Sequence, residues 1–102
     1  MIASATQIRI EGVRGFFNFV VHLSRVKKQL VGYPGLVSVR FNLKLQTLTV
    51  WDDEQAMKAF RNSGAHLAAM KNTRKIGRAK VVTWQTKELP SWQEAGERLA
   101  AR

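Results

Sequence analysis

The stretch TLTVWDDEQAMKAFRNSGAH, residues 47–66, decides how the rest of the chain is read. Leu48 and Val50 alternate with Thr47, Thr49 and Trp51, the period of a strand with two unlike faces. Asp52 and Asp53 follow as candidate helix N-caps, because a short carboxylate accepts from the free amides of a first turn. Gln55 stands three positions after Asp52, as in a capping box, and Glu54 suits the positive end of a helix. Ala56, Met57 and Phe60 give that helix an apolar side, Gly64 ends it, and Ser63 is placed to cap a second short helix from Ala65 to about Asn72. The stretch therefore predicts strand, helix, break and helix, and raises the question whether Trp51 and His66 form a chemical site.

Upstream, Val37, Val39, Phe41 and Leu43 alternate with Ser38, Arg40 and Asn42, and the short connection near Lys44 to Gln46 makes this run and the next an antiparallel hairpin. Residues 5–11 place Ile8 and Ile10 opposite Gln7, Arg9 and Glu11, a first strand. From Gly15 to Val31, the residues Phe16, Phe19, Val20, Leu23, Val26 and Leu30 recur at helical spacing, and Gly32 closes the helix. Phe17 and Val21 fall on the other side of it, so its first two turns are apolar nearly all round and call for a cover beyond the chain's own sheet. Downstream, RAKVVTWQTKEL is a fourth strand, and PSWQEAGERLAAR a last helix with Pro90 at its start and a Ser91–Glu94 capping box.

The order β-α-β-β-α-β-α is that of an α+β, ferredoxin-like domain with an extra C-terminal helix: a four-stranded antiparallel sheet with both main helices on one face. With 102 residues and 45% hydrophobic content, a single domain over 1–102 is expected. The sheet face away from the helices is predicted to carry Ser38, Arg40, Thr47 and Thr49 and to be bare, which asks for the sheet of a second copy. No cysteine is present, and two histidines alone do not close a structural zinc site. The first ten residues lack the pattern of a secretory signal, and no apolar run is long enough to span a bilayer, so a cytoplasmic protein with no membrane partner is expected.

The formal net charge of +10 attracts polyanions, and Lys71, Arg74, Lys75, Arg78 and Lys80 make the one dense basic group. An RNA-recognition sheet, however, needs stacking aromatics on its central strands within a Lys/Arg-Gly-Phe/Tyr run, which these strands lack. The basic group is read as helix-end cations and a solvated turn, and nucleic acid is not the expected partner. Phosphate-binding loops, nucleophile elbows and paired carboxylates are also missing from the sequence.

The run Leu48-Thr49-Val50-Trp51, the acidic cap at Asp52 and Asp53, Ala56, Phe60, Ser63-Gly64-Ala65-His66, and the preceding Tyr33-Pro34-Gly35-Leu36 resemble the dimeric α/β-barrel superfamily, the antibiotic-biosynthesis-monooxygenase-like proteins, over roughly residues 5–86. That resemblance implies a homodimer built through its sheet faces, and a pocket between sheet and helices for a small hydrophobic or aromatic molecule. It further implies Trp51 as a pocket wall and, as one outcome among several in the superfamily, cofactor-free oxygenase chemistry. A non-catalytic ligand-binding or assembly dimer fits the same residues. Haem-degrading relatives place an iron-ligating histidine about ten positions after the strand-three tryptophan, where this chain has Phe60 and Arg61; no cofactor is therefore expected, and haem stays the less favoured alternative, open only if the helix break lets His66 take over as ligand. Those relatives also carry an asparagine on the first strand, where Gln7 is the candidate substitute.

The candidate site accordingly comprises His66 as the proton-handling group, with Trp51, Phe60, Phe16 and Gln7 as pocket residues. His66 falls in the third position of its helix, where the helix dipole disfavours imidazolium and a neutral ring can take a proton near pH 7. Trp51 serves equally well as a core anchor. His22 sits about 90° from the centre of the first helix's apolar stripe and is read as a boundary residue. Trp84 and Trp92 are read as core or interface.

Overall fold

The computed structural model describes residues 1–71 and 77–101. Its elements are β1 (Ile2–Ile10), α1 (Gly12–Leu30), β2 (Leu36–Phe41), β3 (Gln46–Trp51), α2 (Glu54–Arg61), α3 (Gly64–Lys71), β4 (Gly77–Gln85) and α4 (Trp92–Ala101). The sheet is antiparallel throughout, in the order β2-β3-β1-β4. This is the ferredoxin-like α+β fold with a C-terminal helix, as the sequence predicts. The strand β1 starts earlier than the period-2 pattern indicates, at Ile2 rather than residue 5, because Ala3, Ser4 and Ala5 pair with β3 and β4 without showing any hydropathy contrast.

Local signals explain the element ends. The Asp53 carboxylate accepts from the Ala56 amide at 2.8 Å and caps α2. Ser91 Oγ accepts from the Glu94 amide at 3.1 Å at the start of α4. In the hairpin, the Asn42 side chain accepts from the Lys44 and Gln46 amides, a short-range bridge that fixes the turn. Gly35 has φ +86°, and a Cβ there would collide with the Cβ of Ala56, so the turn into β2 requires glycine.

The two sheet faces are covered by different layers, and here the structure corrects the sequence. Thr47 and Thr49 do not lie on a bare face: with Ser4, Thr6, Ile8, Phe41 and Trp51 they look toward α1, α2 and α3. The β2–β3 register pairs Ser38 with Val50 and Arg40 with Leu48, so Ser38 and Arg40 belong to the opposite face. That opposite face is the driest part of the molecule. Ala3, Ala5, Leu48, Val50 and Trp84 pack there against Ala95 and Leu99 of α4, with Leu48 and Val50 fully buried. The physical reason is the small size of Ala3, Ala5 and Ala95, which lets a short helix approach the strands closely. Arg40 closes the layer by donating to the Pro90 carbonyl and lying over the Trp92 ring, 5.7 Å from its centroid. The other face holds a second core cluster, in which Leu30, Trp51, Met57 and Phe60 are buried.

On the outward side of α1, Phe17 and Val21 are exposed as expected, but Phe16 and Val20, read in the sequence as part of the core-facing stripe, are about half exposed as well; Gly15, Phe19 and Leu30 are the buried positions of the helix. Of the basic group, Arg74 and Lys75 lie outside the described residues, as does the last position expected for α3, Asn72. No helix among the described residues is long and apolar enough to cross a membrane.

Candidate functional site

The space between the helix-covered sheet face and α1–α3 is a cavity of about 140 Å³. Its floor comes from the alternation of two central strands. Cross-strand register sets Ser4 beside Thr49 and Thr6 beside Thr47, so four hydroxyls form a square on the face that looks at the helices. One of these has a structural partner: Thr49 Oγ1 accepts from the Trp51 indole N–H at 3.0 Å and donates to the Ser4 carbonyl at 3.4 Å. The Trp51 ring, 2% exposed, is thereby held flat in the wall with its polar atom satisfied. It is at once the core anchor and the pocket wall that the sequence left as alternatives.

Trp51 and His66 do not touch as a dyad. They are two ends of a ring stack in which Phe60 intervenes, its centroid 5.2 Å from Trp51 and 4.8 Å from His66, both edge-on. Tyr33 packs on the far side of Trp51 and Phe60. Position 60, where a haem-ligating histidine would stand, thus holds the ring that spaces the site.

His66 is positioned by the break between α2 and α3. Ser63 does not supply the expected cap; its hydroxyl lies 3.3 Å from the Phe60 carbonyl. The amide of His66 is capped instead by Gln29 Oε1 of α1 at 2.8 Å, and the same side chain donates to the Ser63 carbonyl at 3.0 Å. Gln29 therefore ties the long helix to the helix break and fixes the depth of His66. The ring's Nδ1 sits 3.3 Å from the Arg61 carbonyl. A carbonyl only accepts, so Nδ1 carries the hydrogen and in the neutral ring Nε2 is the basic nitrogen. Burial lowers the pKa of His66 below its ordinary value and the Arg61 charge lowers it further, while the bond to the Arg61 carbonyl acts the other way. A neutral, Nδ1-protonated imidazole near pH 7 can accept a proton.

Of the predicted pocket residues, Trp51, Phe60 and His66 come together, and two do not join them. Phe16 lies on the outer side of α1, 54% exposed and edge-on to Phe17; Phe19, one turn on, lines the cavity in its place. Gln7 is one residue out of phase with Thr6 and Ile8 on β1, so it points to the other face, where it bonds Gln46 and the Lys44 carbonyl beside the hairpin. The sequence missed the place of His22, which it read as a boundary residue: it lines the cavity from α1 with a buried Nδ1 that has no hydrogen-bond partner among the described residues. It also missed Arg61 and the hydroxyl floor. A polar face on the central strands was visible, but the periodicity assigns it to solvent by default. Among the described residues no group of three or more metal-binding side chains occurs.

Comparison with known proteins agrees with this architecture. Residues 6–101 match the family model described as a domain of unknown function, DUF3291. No curated protein matches the chain. Among solved structures, a dimeric ferredoxin-like protein of unknown function from Jannaschia sp. CCS1 is similar with a TM-score of 0.72 at 15% identity, over 83% of this chain and 98% of that one. The cofactor-independent oxygenase SnoaB from Streptomyces nogalater superposes with a TM-score of 0.62 at 14% identity, over 88% of this chain and 97% of its own. An antibiotic biosynthesis monooxygenase is similar with a TM-score of 0.63 at 14% identity, over 86% of this chain and all of that one. At such identities the likeness is one of fold.

Proposed function

The chain belongs to the DUF3291 family, and from its cavity we propose that it is a homodimeric small-molecule-binding protein with monooxygenase-like chemistry on an aromatic or hydrophobic substrate. The observation that carries this is the cavity itself: aromatic and aliphatic walls, a hydroxyl floor, and both histidines of the chain on its lining. An apolar pocket with a few convergent polar groups and a perturbed histidine is the usual form of a small-molecule site. The SnoaB likeness supports an oxygenase direction. The dimeric Jannaschia protein supports a dimer, whose contact we assign to the α4 side of the sheet with α4 included in it.

In this scheme a flat, electron-rich substrate lies against Trp51 and Phe60 with an oxygen over the Ser4, Thr6, Thr47 and Thr49 hydroxyls. Nε2 of His66 takes an acidic C–H or O–H proton, and the resulting anion is the species that passes an electron to dioxygen. For a ring methylene the overall change is CH₂ plus O₂ to C=O plus H₂O, so substrate electrons supply the whole reduction and no external reductant is needed. Uptake of oxygen with 1,8-dihydroxyanthrone, followed by an oxygen electrode and by quinone absorbance, tests it. His66→Ala is expected to lower the rate about 10²-fold or more. Binding of the anthrone with no oxygen uptake would leave a non-catalytic carrier as the function, and absence of binding would refute the site.

A further inference from the structure

The cavity, here the inner chamber, continues past His66 into a second chamber of about 260 Å³ between β1, β4 and α3. Ser4, Thr6, Ile8, Arg61, His66 and Ala69 line both chambers and so mark their junction. Among the described residues, Arg61 is the one formally charged side chain at that junction, and no Asp or Glu lines either chamber. The Arg61 guanidinium rests on the Met57 sulfur at 3.8 Å, and the salt bridges among the described residues do not include it. The only other arginine at these chambers among the described residues, Arg78, is exposed and spent on Glu11 at the rim, 3.4 Å away.

A half-buried guanidinium without a carboxylate, beside two hydroxyls and a histidine, has the composition of a carboxylate-binding site waiting for its anion. We propose that the ligand of this cavity is an aromatic carboxylic acid whose ring occupies the inner chamber and whose carboxylate sits at the junction against Arg61. The inference rests on the small-molecule reading of the cavity and names the class of molecule. The inner walls are too apolar to hold the charged group, whereas the junction offers Arg61 together with the Ser4 and Thr6 hydroxyls as donors. The planar fork of an arginine matches a carboxylate better than it matches a point anion. The bound acid then lies beside His66. It screens the imidazole from Arg61 and stabilises imidazolium, so substrate binding itself makes the base a better proton acceptor.

The test uses a matched pair of probes, 2-naphthoate and neutral 2-naphthamide, titrated into the full chain at pH 8 and followed by naphthalene fluorescence. The expected result is a preference for naphthoate of about tenfold or more, the size of one good charge-assisted contact. Arg61→Gln should erase that preference while leaving naphthamide affinity within about twofold, and Arg61→Lys should restore part of it. Because the whole chain is strongly basic, Arg14→Gln on the exposed surface of α1 removes the same charge elsewhere and should keep the preference. Two-dimensional NMR of the imidazoles should show the His66 pKa rising with naphthoate and not with naphthamide. Equal affinity for the two probes, or a preference that survives Arg61→Gln, overturns the acid assignment and leaves the cavity reading intact. Failure of both probes to bind overturns the cavity reading and the acid with it.

Discussion

Replacing Leu48 by alanine separates the two faces of the sheet. Leu48 is fully buried, and it lies on the α4 side with Ala3, Ala5, Val50, Trp84, Ala95 and Leu99, away from the cavity. Truncating a fully buried leucine costs about 2–5 kcal/mol, the loss of transfer energy plus the void left behind. The upper half of that range applies here, because the neighbours are strands and small alanines that cannot collapse into the space. At about 4–8 °C per kcal/mol for a domain near this size, the melting temperature should fall by at least about 10 °C. Leu99→Ala, from the same cluster, should couple to it with an interaction energy of about 0.5–3 kcal/mol in a double-mutant cycle by urea unfolding. Naphthamide affinity at a temperature where the variant is folded should stay within about twofold. A Leu48→Ala cost under about 1 kcal/mol, or strict additivity with Leu99→Ala, would refute the packing of α4 on this face.

Two further outcomes follow from the cavity side. Thr49→Val keeps the shape of the floor but removes the acceptor of the buried Trp51 N–H, so it should cost about 1–3 kcal/mol in urea unfolding, with a changed Trp51 emission; an unchanged stability would mean that the indole is satisfied elsewhere. For His66 the folded pKa is lowered, so the unfolded chain binds more protons in the window between the folded value and the ordinary histidine value. Stability from this group is then complete above the ordinary value and is lost as pH falls through that window. His66→Asn should flatten that part of the wild-type stability profile between pH 8 and pH 5, and an identical slope in both proteins would exclude a depressed His66.

Much of the fold was legible because its signals are local. The alternation of Leu48 and Val50 with Thr47, Thr49 and Trp51, the Asp53 cap and the break at Gly64 each depend on neighbours within a few positions. The same holds for the hairpin and for the Ser91 cap of α4. Of the site, Trp51, Phe60 and His66 were legible as a group because strand end, helix stripe and helix start follow one another directly along the chain.

What the sequence could not determine is which layer covers which face. Alternation shows that the two faces of β1 and β3 differ, and the ordinary expectation sends the apolar one to the large helices. Here Leu48 and Val50 go to α4, the shorter cover, because Ala3, Ala5 and Ala95 leave room for its close approach. The hydroxyl face is left beneath α1–α3 as a cavity floor. That exchange turns Thr47, Thr49, Ser4 and Thr6 from expected surface residues into the floor of a cavity, and brings His22 and Arg61 to its walls. It also replaces the expected Ser63 cap of His66 by Gln29, thirty-seven positions away in the chain. The amino-acid order by itself determined the elements and their ends, since these are set by contacts one or two turns long. The tertiary structure alone decided the chemistry of the space between them, because a cavity depends on distant side chains whose packing no local period records.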